Sequence, residues 1–495
     1  MGLWTRKPIE TLLAEASDTS EHSLRRGLGW PSLTLLGIGG VIGAGIFVLT
    51  GQQAAINAGP AIVISFLIAG VVCALVALCY AELASMIPVA GSAYTYTYAT
   101  LGEFIAWLIA WDLILEYGLA AATVSAGWAG YFKRMMSGFG VDMPEAWTTA
   151  PYHSTGGFHI APTGAILNLP AMAVIILMAA FLIAGITQSK IINNLIVGLK
   201  MTIVLAVIAF GATHIDAANW VPFIPDAVPP TPGHAQGQFG WGGISAAASV
   251  IFFAYIGFEA VSTAAQEAEN PQRNMPIGIL LSLAVCTALY ILMALVITGI
   301  APFATLNNPA PVATALAAVP SLAWLEQTVN VGVAVGLAST ILSLLYGQSR
   351  ILYSMSRDGL LPPWIGRVNP KTRTPVWGTV LVAAFAALVG GLFPIDILGE
   401  LVSMGTLLAF GLICAGVLYL RIKHPELQRA FKTPLIWFTA PVGILGCAFL
   451  VYKLPPETWP RLFIWMGIGL VVYFGYAYWH SRQHHAKIAA GAPAE

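Results

Sequence analysis

Long apolar runs separated by short polar segments set the character of this chain. They lie at roughly 31–54, 61–87, 102–132, 168–187, 190–213, 241–265, 276–300, 325–348, 376–393, 396–420, 434–452 and 459–479. A hydrocarbon core of about 30 Å takes roughly 20 apolar residues in a helix, so each run predicts a membrane span, twelve in all. No charge occurs between Gly27 and Ala81, which predicts two spans joined by a short uncharged loop. The third span is long. Gly91–Leu101 (GSAYTYTYATL) reads as an interfacial helix leading into it, because Tyr and Thr suit the headgroup region. The segments 133–167 and 214–240 are rich in Pro, Gly, His and Trp, show neither helical nor strand periodicity, and read as ordered caps over the bundle.

Composition agrees with an all-α integral membrane protein. Only 9% of the 495 residues are charged and 58% are hydrophobic, against roughly 25% charged in soluble domains. Net charge is 0, with no basic excess for a nucleic-acid partner. With the N-terminus cytoplasmic, seventeen of the 22 Lys and Arg fall on the inside and four on the outside, which places both termini in the cytoplasm and supports an even span count. Residues 1–30 then form a cytoplasmic segment, 31–420 a core of ten spans, 421–480 two additional spans and 481–495 a cytoplasmic tail. Cys73, Cys79, Cys286, Cys414 and Cys447 all lie in apolar runs without a C-x-x-C pair and read as packing residues. The tail histidines His480, His484 and His485 read as solvated. No cofactor and no metal is expected.

Two spans carry signs of interruption. The first holds Gly37, Gly39, Gly40, Gly43 and Gly45. Small residues can serve close helix packing, but they also suit a helix that unwinds in mid-membrane. The sixth span places Gly257 and Glu259 within Ile251–Glu259 (IFFAYIGFE), and an intramembrane acid is costly and usually functional. Interrupted spans at corresponding positions of two repeats point to a midplane transporter site. Free N–H groups after the first break favour a carboxylate, and unwound carbonyls from both breaks favour an ammonium. Together they fit an amino acid backbone.

The stretches Gly39–Gly51 (GGVIGAGIFVLTG), Phe252–Ile279 (FFAYIGFEAVSTAAQEAENPQRNMPIGI) and Gln348–Pro362 (QSRILYSMSRDGLLP) resemble the amino acid–polyamine–organocation permeases, and most of all bacterial homologues of the cationic amino acid transporters. The resemblance covers nearly the whole chain. It implies a LeuT-like five-plus-five inverted repeat, about 31–213 and 241–420, and a bacterial inner membrane location. It implies substrate carboxylate on the amides of Ala44 and Gly45, at the Gly43 turn, and substrate ammonium on carbonyls near Val41, Ile42, Phe253 and Ile256. Phe253 stands where family members carry an aromatic gate, Glu259 at the acidic position just after the break, and Glu116 at a glutamate of the bacterial subgroup. Phe252, Phe253, Ile341 and Ser343 surround the expected pocket; these mostly apolar walls favour Ala, Ser, Gly or a branched aliphatic substrate, although Glu116 or Glu259 leaves a cationic substrate open.

Lys200 lies about midway through the fifth span, too deep to snorkel. The resemblance implies that its ammonium occupies the place where sodium-coupled relatives bind a cation, with the first break, Ser339 and Thr340 as neighbours. Sodium coupling is then unexpected and protons become the coupling ion. Asp112 and Glu116, four residues apart, share one helical face and are further proton candidates. The expected function is proton-coupled amino acid uptake by alternating access; the alternatives are a proton-independent exchanger and a transporter-like amino acid sensor. An enzyme is not expected, since no H-E-x-x-H occurs and His153, His159, His214 and His234 all lie in outside loops.

Overall fold

The computed structural model describes residues 4–7, 27–87, 92–154, 160–185, 190–230, 237–372 and 374–489. The expectations for Arg25, Arg26, His159, His234 and much of both termini lie outside these residues or concern side chains that are not described. Thirteen helices carry the architecture: α1 Trp30–Val41, α2 Ile62–Met86, α3 Ser92–Thr100, α4 Glu103–Gly138, α5 Leu169–Ile183, α6 Lys190–Ala212, α7 Gly240–Ile251, α8 Pro271–Ile300, α9 Ala323–Arg357, α10 Val376–Leu392, α11 Ile395–Lys423, α12 Ile436–Lys453 and α13 Thr458–Val472. Among the described residues, eight helical stretches are long and apolar enough to cross a membrane, and four shorter apolar helices accompany them at Trp30–Val41, Leu169–Ile183, Gly240–Tyr255 and Val376–Leu392.

The ends of these helices follow local rules. Pro31, Pro170 and Pro271 sit in first turns, where their missing N–H costs nothing. α9 stops at Asp358, with Gly359 left-handed at φ 75°. α4 (36 residues) and α9 (35 residues) overrun their apolar runs; at 1.5 Å per residue each is about 50 Å long, so their polar ends must stand clear of a ~30 Å core. Within 133–167 the structure corrects the absence of regular structure: β1 Tyr152–Ser154 pairs antiparallel with β2 Ile160–Pro162. Strands of three residues are too short to show a period.

α1, α2, α7 and α8 pack into one group, and α4, α5, α9 and α10 into another. α6 lies against α1, α8 and α9, while α11 runs between α4, α2 and α12. α13 is fastened to α4 by tryptophans: Trp111 and Trp465 stack at 4.8 Å and donate their indole N–H groups to each other's carbonyls at 2.9 and 3.0 Å. At the end where α4 begins and α9 finishes, residues 4–7 form a strap. Thr5 O accepts from Glu103 N–H at 2.9 Å, Lys7 Nζ reaches Asp358 at 3.4 Å, and Tyr94 donates to the same carboxylate at 2.6 Å.

Candidate functional site

Two helices are broken where the sequence places its glycines. α1 ends as Ile42 turns extended (ψ 97°), and after Gly43 and Ala44 the chain re-forms as a wide helical turn over Gly45–Leu49. α7 continues as a tight turn over Phe252–Tyr255, then Ile256 is extended (ψ 133°) and Gly257 has φ 121°, a conformation side chains disfavour. The breaks touch backbone to backbone. A Cβ on Gly257 would stand 2.5 Å from the Gly40 carbonyl carbon, and one on Gly45 would stand 2.3 Å from Ala254 Cβ. The glycine at 45 is therefore required by the approach of the other broken helix, whereas a Cβ at Gly43 would meet Thr340 at 3.2 Å.

Each break leaves backbone groups without helical partners, and buried groups of that kind need others. Lys200, 1% exposed, serves the first break: Nζ donates to Gly39 O at 2.9 Å, Ile42 O at 3.1 Å and Thr340 Oγ1 at 2.8 Å. These three acceptors match the three protons of an ammonium, and among the described residues no carboxylate pairs with it. Gly336 makes room for the lysine stem, since a Cβ there would stand 3.0 Å from Lys200 Cγ. The second break is served from within: Glu259 Oε2 accepts from Gly257 N–H at 2.8 Å. Tyr290 of α8 joins the two, its hydroxyl lying 2.7 Å from both Val41 O and Ala254 O.

The expected site residues fall into three sets. Val41, Ile42, Gly43, Ala44, Gly45, Phe252, Phe253, Ile256, Gly257, Lys200 and Thr340 are all buried, on or beside the two breaks, and Ile341 is buried on α9 next to Thr340. Three of the four carbonyls read as ammonium acceptors already accept: Val41 O from Tyr290, Ile42 O from Lys200, and Phe253 O from Ile256 N–H at 3.2 Å. A carbonyl has two lone pairs, so Val41 O and Phe253 O retain accepting capacity, whereas Ile42 O also lies 3.4 Å from the Thr340 hydroxyl. Glu116, Glu259 and Asp112 form a second, buried group: Glu116 faces Glu259 and Thr406, and Asp112 lies against Gly405 of α11. Two residues stand apart. Ser339 donates to Gly336 O at 2.8 Å within its own helix and does not reach Lys200. Ser343 is exposed and donates to Ser339 O at 3.0 Å within its own helix, three positions from Thr340 on the α9 face that meets the first break.

Tyr290 and Gly336 escaped the sequence reading. A tyrosine in the middle of an apolar span carries a hydroxyl that must find a partner once buried, and that was the available signal.

The chain matches the family model described as "Amino acid permease" over residues 28–478. It is 44% identical over 479 residues to the "Methylthioribose transporter" of Bacillus subtilis, covering 97% of this chain and 98% of that protein. It is 44% identical over 481 residues to the "Branched-chain amino acid permease BcaP" of the same organism, again with 97% and 98% covered. The "Cationic amino acid transporter 9, chloroplastic" of Arabidopsis thaliana is 38% identical over 409 residues, covering 82% of this chain and 68% of that protein. These relatives are named as carriers, not enzymes. The chain belongs to the amino acid permease family.

Proposed function

We propose that this amino acid permease is a proton-coupled secondary transporter that carries small neutral or branched aliphatic amino acids by alternating access. The observation that carries the reading is Lys200, which bridges the broken first span to α9. A sodium ion about 4 Å from that ammonium would face repulsion of ~4 kcal/mol at an effective dielectric near 20. A proton on or off the lysine amine, in contrast, changes the bracing of the break directly. Substrate carboxylate on the amides of Ala44 and Gly45, and substrate ammonium on the remaining lone pairs of Val41, Phe253 and Ile256, would join the two breaks as Tyr290 does. Phe252, Phe253 and Ile341 supply apolar walls, with Phe253 as the gate, and the branched-chain permease relative supports an aliphatic side chain. Eight long and four shorter apolar helices support twelve spans, and the separate packing of α1, α2, α7 and α8 from α4, α5, α9 and α10 supports a LeuT-like inverted repeat, with the basic face in the cytoplasm.

The test is uptake into liposomes under an imposed pH gradient. Labelled valine or leucine should accumulate with acid outside, collapse with a protonophore, and ignore sodium. Sodium-dependent, pH-independent uptake overturns the reading. Lys200→Met should abolish accumulation; if exchange survives, the lysine drives coupling alone, and if both fail, it also braces the site and Glu116 or Glu259 must carry the proton. The methylthioribose transporter, equally similar to this chain, supports a second reading as a carrier of that thioether sugar, and its inclusion as a competitor decides between the two.

A further inference from the structure

Away from the breaks, a cavity of about 790 Å³ opens at the end of the molecule where α2 and α11 finish and α8 and α12 begin. Arg421, Arg429, Lys432, Gln272, Ile436 and Trp437 are among the residues lining it. Beneath it lies Glu82, whose carboxylate is 2% exposed. Arg421 meets Glu82 with two parallel bonds of 2.8 Å, Arg429 Nε adds a third at 3.1 Å, and Thr433 N–H a fourth at 2.8 Å. One carboxylate thus serves two guanidiniums, and the cluster holds an excess positive charge.

The remaining groups do not balance it inside the cavity. Arg429 spends its other N–H groups on the carbonyls of Pro425, Leu427, Leu420 and His424, so it shapes the loop and offers no further donor. Glu426 lines the cavity but is two-thirds exposed and turned to His424 at 3.1 Å. Arg421 has an Nη1 group bonded to nothing among the described residues, and Lys432 likewise has no hydrogen-bonded or ionic partner among them. The donors left over are a guanidinium edge, an ammonium and the Gln272 amide, a set that suits phosphate oxygens. The apolar side of the cavity is equally specific. Trp437 is 67% exposed at the start of α12, and Phe438, Leu445, Phe449 and Tyr452 continue an exposed stripe along that helix. This end of the molecule is also the one on which most Lys and Arg fall, the side that faces anionic lipid in a positive-inside arrangement.

We propose that this cavity binds the phosphate headgroup of an anionic phospholipid, with the acyl chains lying along the exposed face of α12. The site is independent of the substrate assignment, because its residues belong to the corner where α2, α8, α11 and α12 meet and none of them lies at either break. Binding there would cover the excess charge and hold the loop between α11 and α12 against α2.

The test is thermal melting and native mass spectrometry of the purified full-length protein, titrated with phosphatidylglycerol or phosphatidylcholine, and separately with inorganic phosphate. Phosphatidylglycerol should bind in preference to phosphatidylcholine and raise the melting temperature saturably, with the effect weakened at high salt. Lys432→Gln should weaken that binding roughly fivefold and Lys432→Glu roughly twentyfold. Lys432 is exposed and holds no partner among the described residues, so both variants should fold and take up substrate as the parent does. Equal binding of the two lipids, or unchanged preference in Lys432→Glu, overturns the proposal. Protection by millimolar inorganic phosphate equal to that by the lipid would show a soluble anion as the ligand and overturn the lipid assignment.

Discussion

The two broken helices solve the same problem with opposite electrostatics. The break after α1 leaves carbonyls, and a cation from another helix, Lys200, satisfies Gly39 O and Ile42 O. The break after α7 leaves an N–H on Gly257, and an acid two residues further on, Glu259, accepts it. A break that presents carbonyls calls for a donor, and one that presents an N–H calls for an acceptor. The difference in origin matters for motion. The second brace is local and travels with its own helix, whereas the first ties α1 to α6 and α9. If the helices move relative to one another during transport, the Lys200 brace must break or follow, and the Glu259 brace need do neither.

The largest effect should come from the contact that holds both breaks together. Gly257→Ala puts a Cβ against the Gly40 backbone at a residue with φ 121°, so it should destabilise the protein by ~3 kcal/mol or more and abolish uptake. Native-like melting with normal uptake would mean that the breaks separate freely. Lys200→Met comes next. It leaves Gly39 O without its side-chain donor and Ile42 O with only the Thr340 hydroxyl at 3.4 Å, worth ~2–4 kcal/mol in denaturant unfolding, and it should cost more than any change at Glu259. Tyr290→Phe removes the link between the two breaks and should cost ~1–2 kcal/mol, with substrate affinity falling alongside stability; an unchanged melting curve would remove Tyr290 from the account. Glu259→Gln keeps an oxygen for Gly257 N–H, so stability should change by less than ~1 kcal/mol while Glu259→Ala loses more. A Gln variant as damaged as the Ala variant would show that charge, not acceptance, matters at this break. Smallest of all, Ser343→Ala removes only a bond within its own helix and should shift denaturant unfolding by no more than about 0.5 kcal/mol.

The parts legible in the sequence were those that break a rule of membrane composition. Lys200 and Glu259 stand out because a charge in an apolar run demands a partner, and the glycines around 40 and 257 stand out by density and position. What escaped depends on facts that a linear reading does not hold. Tyr290 passes for apolar packing unless the destination of its hydroxyl is known. The need for glycine at 45 comes from Ala254, a residue with no chemistry of its own. α4 and α9 run past their apolar spans because apolarity marks the bilayer and not the end of the hydrogen-bond ladder. The Arg421–Glu82–Arg429 cluster joins residues more than 300 positions apart, and no local pattern announces it.

That separation gives the cluster a history as well as a place. Glu82 is followed by Arg421 only 339 residues later. At the roughly 5–20 residues per second of protein synthesis, its carboxylate waits about 20–70 s for the guanidinium that will neutralise it. During that interval α2 has been made and its last turn carries an acid with none of its eventual partners yet in existence. The corner where α2, α11 and α12 meet can lock only after nearly the whole chain has entered the bilayer, so this joint closes at the end of biogenesis, whatever the order in which the spans before it were inserted.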